Sequence, residues 1–67
     1  MITEIGIVAG EIWHHLENNQ KMADLENIVT KIDKPKEVIL MSVGWLAREG
    51  HIVLEGDLPN YRISLRK

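Results

Sequence analysis

The residues from Asp33 to Ile52 read DKPKEVILMSVGWLAREGHI, and they decide the fold because they begin and end as a helix does. Asp33 is expected to cap the free amides of the first turn, where Pro35 also fits because no amide partner is needed there. Gly50 can take the left-handed conformation that ends many helices. The stretch therefore predicts one helix, followed at Ile52 by a strand.

The predicted helix is apolar on two sides. One stripe recurs at helical spacing, is expected to face a core, and consists of Ile39, Val43 and Leu46. The second stripe lies on the opposite side and consists of Val38, Met41 and Trp45. A helix that is apolar on nearly every side is either central to a large protein or covered by a partner.

The chain is too short for the first of these explanations. It has 67 residues, which predicts a single domain over residues 1–67, close to the lower limit for a fold without disulfides, metals or association. It contains no cysteine, so disulfides and thiolate sites are excluded. Neither a leader nor a membrane-spanning segment is predicted, and we expect a soluble, cytoplasmic protein.

Two further helices are predicted before the central one. The first, from Thr3 to Asn18, is amphipathic, with Thr3 as its expected cap. Gly6 and Gly10 lie four residues apart in it and are expected at a tight helix crossing. A short segment at Lys21–Ala23, extended or loop-like, follows, and a second helix is predicted from Asp24 to Ile32.

After the central helix the chain alternates apolar and polar residues over Ile52–Glu55 and Tyr61–Arg66, which predicts two strands. The turn residues of Gly56–Asn60 are expected to join them in a hairpin. The predicted fold class is therefore α+β and mainly α: a winged helix-turn-helix domain with three helices followed by a two-stranded β-hairpin wing. The helix from Lys34 to Glu49 takes the position of the recognition helix.

Two motifs resemble those of a known family. The motif IGxxAGxIW spans Ile5 to Trp13, and the motif GWLAREGxI spans Gly44 to Ile52. Over nearly its whole length the chain resembles a group of short, stand-alone prokaryotic winged helix-turn-helix proteins of unassigned function. The resemblance implies the fold, a small size and a tendency to pair, but no reaction, ligand, operator or binding residue.

The sequence gives thin support to nucleic-acid binding. The chain has 8 Lys and Arg against 10 Asp and Glu, whereas strong non-specific binding rests on about six to ten phosphate contacts. The candidate contacts are Lys34, Lys36 and Arg48 at the third helix and Arg62 and Arg66 on the last strand. The strand charges are also explained as protection of an edge strand. A DNA-binding regulator is therefore the alternative function.

The second apolar stripe favours self-association. Burying Val38, Met41 and Trp45 on two copies is worth on the order of 9–18 kcal/mol, against an association cost of about 4–15 kcal/mol. Neighbours such as Leu40 or Trp13 are needed to make pairing favourable. We predict a non-enzymatic interaction module that forms a homodimer through this stripe, with another protein as an alternative partner. A competing explanation keeps Met41 and Trp45 in the core of one copy.

No metal or catalytic site is predicted. His14 and His15 are adjacent, point about 100° apart on a helix, and have no second histidine four residues away. Ser42 and Ser64 have no local pattern of a catalytic base, and the sequence contains no glycine-rich phosphate loop. We therefore expect no cofactor and no enzymatic activity.

Overall fold

The computed structural model describes residues 2–56 and 60–66. Its elements follow the order α1 (Ile2–Glu17), β1 (Met22–Asp24), α2 (Leu25–Lys31), α3 (Lys36–Arg48), β2 (Ile52–Glu55) and β3 (Arg62–Leu65). The three predicted helices and two predicted strands are confirmed, in the element order of a winged helix-turn-helix domain. Residues 57–59 of the predicted turn lie outside the described residues, as does Lys67.

The wing is part of a three-stranded antiparallel sheet, one strand more than the predicted hairpin. The strand order is β1-β3-β2, so β3 is central, and the explanation of its arginines as protection of an edge strand is wrong. The predicted extended segment forms β1, where Ala23 pairs with Ile63, and Leu54 of β2 pairs with Ile63 from the other side. The backbone N–H of Leu25 donates to the carbonyl oxygen of Tyr61 at 2.7 Å, so the sheet also holds the start of α2.

The helix ends agree only partly with the predicted caps. Asp24, predicted as the first residue of the second helix, is instead the cap of α2, because its Oδ1 accepts a hydrogen bond from a backbone N–H of the first turn at 2.9 Å. Gly50 has φ +80° and occupies the predicted left-handed position after α3. The expected caps Thr3 and Asp33 are wrong. α1 already includes Thr3, and the residue before α3 is Pro35, which makes no side-chain cap hydrogen bond.

One apolar core joins the helices to the sheet. Its fully buried side chains come from all three helices and from β3, and they include Val8, Ile12, Leu16, Ile28, Ile39 and Ile63. The predicted core stripe of α3 is confirmed, since it lies in the same cluster as these residues. None of the described helices is long and apolar enough to cross a lipid bilayer.

Val38 also belongs to this core, so its predicted place on the exposed stripe is wrong. Its side chain is only 5% exposed. It lies one helical turn before the fully buried Ser42, so the two project to nearly the same side of α3. The exposed stripe of α3 keeps Met41 and Trp45, each 45% exposed.

α1 and α3 pack closely, but not at the predicted glycines. The Ser42 hydroxyl oxygen in α3 lies 3.2 Å from the carbonyl oxygen of Ile5 in α1. Within the described residues, a methyl group added at Gly6 or Gly10 would have no atom of another segment within 4 Å. The predicted tight crossing at these glycines is therefore wrong, because both face open space.

Candidate functional site

Large apolar side chains are exposed together along α1 and α3. They are Ile2, Ile7 and Trp13 on α1 and Leu40, Met41 and Trp45 on α3. The two helices lie side by side, so part of this surface is shared between them. We call the shared part the α1–α3 face and define it by Gly6, Gly10, Trp13, Met41 and Trp45. A contiguous exposed apolar surface is typical of a binding site for another molecule.

A shallow hollow lies in the α1–α3 face. Its volume is about 270 Å³. Gly6 and Gly10 contribute only backbone to its lining, whereas Trp13 and Trp45 contribute indole rings. The remaining lining residues are Ala9, Leu46 and His51. The space is open because the two glycines carry no side chains on this side of α1.

The indole ring of Trp45 contacts the imidazole ring of His51 and is otherwise partly exposed to solvent. The two ring centroids are 6.2 Å apart, with the ring planes tilted by 37°. Such an aromatic contact restricts the orientation of the indole. Nearly half of the Trp45 side chain nevertheless remains exposed. The residue therefore presents a partly ordered apolar surface to solvent.

The hollow is small and is lined mainly by apolar groups. It is smaller than the roughly 300–1,000 Å³ of ordinary ligand pockets. The polar side-chain groups in its lining are the indole N–H groups of Trp13 and Trp45 and the imidazole of His51. Across residues 2–56 and 60–66, no three His, Cys, Asp or Glu side chains are grouped as metal ligands. The lining can bury apolar surface, but it contains no hydroxyl or thiol nucleophile.

Two of the candidate nucleic-acid contacts lie next to carboxylates. The Lys34 ammonium forms an ion pair with Glu11, with Nζ 2.9 Å from Oε2. Arg62 lies in the central strand, where its register partners are Asp24 in β1 and Glu55 in β2. The positive charge of Lys34 is therefore paired, and Arg62 lies between two acidic residues in the sheet register.

The other three candidate nucleic-acid contacts are exposed but do not form one patch. Lys36 begins α3 and Arg48 ends it, so roughly 18 Å of helix separates them. Arg66 follows β3, and its backbone N–H donates to the carbonyl oxygen of His51 at 2.9 Å. Arg66 is thus tied to the loop after α3, while Lys36 lies at the far end of that helix.

The sequence predicts part of this site. Met41 and Trp45 are exposed on α3 as expected, and Leu40 and Trp13, the neighbours that pairing was predicted to need, are also exposed. The hollow was not predicted. The sequence feature that could have predicted it is the spacing of Gly6, Gly10 and Trp13. This spacing places two residues without side chains and one indole ring on the same side of α1.

The comparison with known proteins agrees with this fold. Residues 1–66 match the model of a family described as Winged helix-turn-helix domain (DUF2582). The chain belongs to this winged helix-turn-helix family. It is also 36% identical over 64 residues to "Uncharacterized protein MJ1608" of Methanocaldococcus jannaschii, an alignment that covers 94% of this chain and 91% of the relative. No solved structure is significantly similar to the chain.

As a winged helix-turn-helix domain, the chain has α3 where DNA-binding members of this fold place the helix that enters the major groove. The exposed middle of this helix consists of Leu40, Met41, Gly44 and Trp45. Base edges are read mainly by hydrogen-bonding side chains. In these four residues the indole N–H is the one such group, so the middle of α3 is poorly suited to reading bases.

Proposed function

We propose that the chain is a non-enzymatic interaction module that pairs with a second copy of itself through the α1–α3 face. The observation that carries the proposal is Trp45, which is 45% exposed in the recognition-helix position. Met41 lies one turn away on the same helix, and Trp45 itself lines the hollow. Half-exposed aromatic residues next to apolar hollows are typical anchors of protein interfaces.

The exposed apolar area is sufficient for a small interface. Trp13 and Trp45 are 42% and 45% exposed, which leaves roughly 100 Å² free on each, since an aromatic side chain buries about 150–250 Å². Met41 of the face, together with its exposed neighbours Ile2 on α1 and Leu40 on α3, brings the exposed apolar area to on the order of 500 Å² per copy. Two copies would bury about 1,000 Å², the lower bound for a specific interface. We therefore expect weak pairing that depends on concentration.

A second copy is the partner that this area favours. In a two-fold dimer the same surface serves both copies, so one exposed face per chain is enough. The estimated area no longer includes Val38, which is buried within its own chain. Trp13 from α1 takes its place as an apolar contributor. The proposed interface therefore uses two helices rather than α3 alone.

Sedimentation equilibrium of the wild type and Trp45→Arg tests this proposal, over about 1 μM to 1 mM, the range of weak interfaces. We expect a wild-type monomer–dimer equilibrium and a folded monomer for Trp45→Arg, because the arginine places a charge in an apolar interface. Met22→Arg is the matched control, since Met22 is 48% exposed on β1, outside the proposed interface. A folded wild-type monomer at every concentration would overturn the proposal.

DNA binding through the wing is the second candidate function. It is favoured by the winged helix-turn-helix fold and by Arg66, which is exposed just after β3. A titration of labelled duplex at low salt tests it, with the wild type compared with Arg66→Glu. Binding that weakens in Arg66→Glu and falls with added salt would support this function. Absence of binding at low salt would refute it.

A further inference from the structure

The exposed crest of α3 has a pattern that is complementary to itself when reversed. We define the crest as Glu37, Met41, Gly44 and Arg48, which are all exposed. They lie within roughly 60° of one another around the helix axis, given 3.6 residues per turn. An acidic residue is at one end and a basic residue is at the other. Between these two charged residues, the long side chain of Met41 is followed about one turn later by Gly44.

We infer that the second copy lies with its α3 antiparallel to the first, about a two-fold axis that lies between the two crests, level along the helix with the midpoint of Ser42 and Val43. This inference rests on the proposed pairing and adds its geometry. Residues at equal distances before and after this axis lie opposite each other in the two copies. Glu37 of one copy is then opposite Arg48 of the other, and Met41 is opposite Gly44.

Charge complementarity favours the antiparallel arrangement. In the part of the chain that the structure describes, neither Glu37 nor Arg48 forms an ion pair within its own copy. Both are therefore available to a second copy, and the two-fold axis makes the Glu37–Arg48 contact twice. A parallel arrangement would instead place Glu37 beside Glu37 and Arg48 beside Arg48. Like charges in contact oppose association.

Side-chain size agrees with the same arrangement. Within the described residues, a methyl group added at Gly44 would have no atom of another segment within 4 Å, so packing inside the chain does not require glycine there. Glycine weakens a helix relative to alanine. Opposite Met41 of the second copy, however, a bare backbone lets the two helices approach closely. The flexible thioether side chain can fill the remaining space.

A charge exchange tests this geometry. Glu37→Arg and Arg48→Glu are each compared with the wild type by sedimentation equilibrium at low and moderate salt. We expect each single variant to raise the dimer Kd about tenfold or more, because both symmetric contacts become repulsive. The double variant Glu37→Arg/Arg48→Glu should recover the wild-type Kd to within about threefold, since the charges are exchanged but remain complementary.

A mixture of the two single variants provides a second, independent readout. One variant has arginine at both crest ends and the other has glutamate at both, so their mixed dimer restores both unlike contacts. We expect the mixture to associate more tightly than either variant alone. Glu26→Arg is the matched control, because it makes the same change of charge at an exposed position on α2. Circular dichroism of every variant checks that it is folded.

The possible results separate this inference from the proposed function. If Trp45→Arg abolishes pairing but the single charge variants pair like the wild type, pairing stands and the antiparallel geometry is overturned. Failure of both the double variant and the mixture to recover would also overturn it. A wild type that stays monomeric refutes pairing and geometry together and leaves the α1–α3 face for a different protein.

Discussion

The Ser42 hydroxyl of α3 lies 3.2 Å from the backbone carbonyl oxygen of Ile5 in α1. The same hydroxyl donates to the Val38 carbonyl oxygen one turn earlier in α3, at 2.7 Å. Ser42 is fully buried, and its small side chain lets the two helices approach at this point. The contact fixes the relative position of the two helices that form the α1–α3 face.

The small volume of the Ser42 side chain is predicted to contribute more to the free energy of unfolding than its hydroxyl group does. Ser42→Leu should lower the free energy of unfolding by about 1–3 kcal/mol, because the larger side chain overpacks the contact with α1. Ser42→Ala keeps the small volume and should lower it by no more than about 1.5 kcal/mol, the worth of one hydrogen bond. Urea unfolding measures both, and equal effects would show that the approach of the helices is not limited by volume.

Val38 and Met41 are predicted to have opposite roles despite their nearness on α3. Val38→Ala should destabilise the fold by about 1–3 kcal/mol, because it empties space in the core. Met41→Ala should lower the stability of the monomer by about 1 kcal/mol or less, since nearly half of its side chain is already exposed. Met41→Ala should nevertheless weaken pairing. Urea unfolding and sedimentation equilibrium of both variants test this separation.

Asp24 is predicted to stabilise the start of α2 as its cap. Asp24→Ala should lower the free energy of unfolding by about 0.5–2 kcal/mol, because it removes the acceptor for a first-turn amide. Asp24→Asn is the matched control: it keeps an acceptor oxygen and should cost less. Asn60 binds the same first turn of α2, since its Oδ1 accepts a hydrogen bond from the backbone N–H of Glu26 at 2.9 Å. An Asp24→Ala variant as stable as the wild type would contradict the role of the cap.

Gly50 is predicted to resist substitution because of its backbone conformation. With φ at +80°, Gly50→Ala should lower the free energy of unfolding by about 1–2 kcal/mol, the cost of the left-handed region for a residue with a Cβ atom. Crowding does not contribute, since an added methyl group has no other segment within 4 Å among the described residues. Gly50→Asn should cost less, because asparagine tolerates this region better. Thermal or urea unfolding of both variants distinguishes them.

Much of the fold is predictable because helical and strand periodicities are local properties of the chain. The α3 core stripe of Ile39, Val43 and Leu46 follows from spacing alone, and all three are buried. β1 is harder, because a three-residue strand has too few positions to show a period and is defined by its pairing with β3. Helix starts also depend on backbone geometry that the residue types Thr3 and Asp33 do not fix.

The candidate site is less predictable because it depends on how two helices pack. Helical periodicity places Val38 near the edge of the second apolar stripe of α3. Whether this edge is exposed or buried depends on where α1 packs, which periodicity does not show. Likewise, Gly6 and Gly10 can mark a tight crossing or an open surface, and the sequence does not distinguish them. The exposure of Met41 and Trp45 was predictable because they lie well away from the core stripe.

The central place of β3 in the sheet has a consequence for biosynthesis. β1 and β2 are both made before β3, yet each pairs with β3 and they are not neighbours in the sheet. A nascent chain can therefore form its helices on the ribosome, but it has no sheet until Arg62–Leu65 has been synthesised. Until then, Leu25 also lacks the Tyr61 carbonyl that its amide bonds in the folded protein. Completion of the fold is thus delayed until β3 is made, and until then the core lacks Ile63, which is fully buried within it in the folded protein.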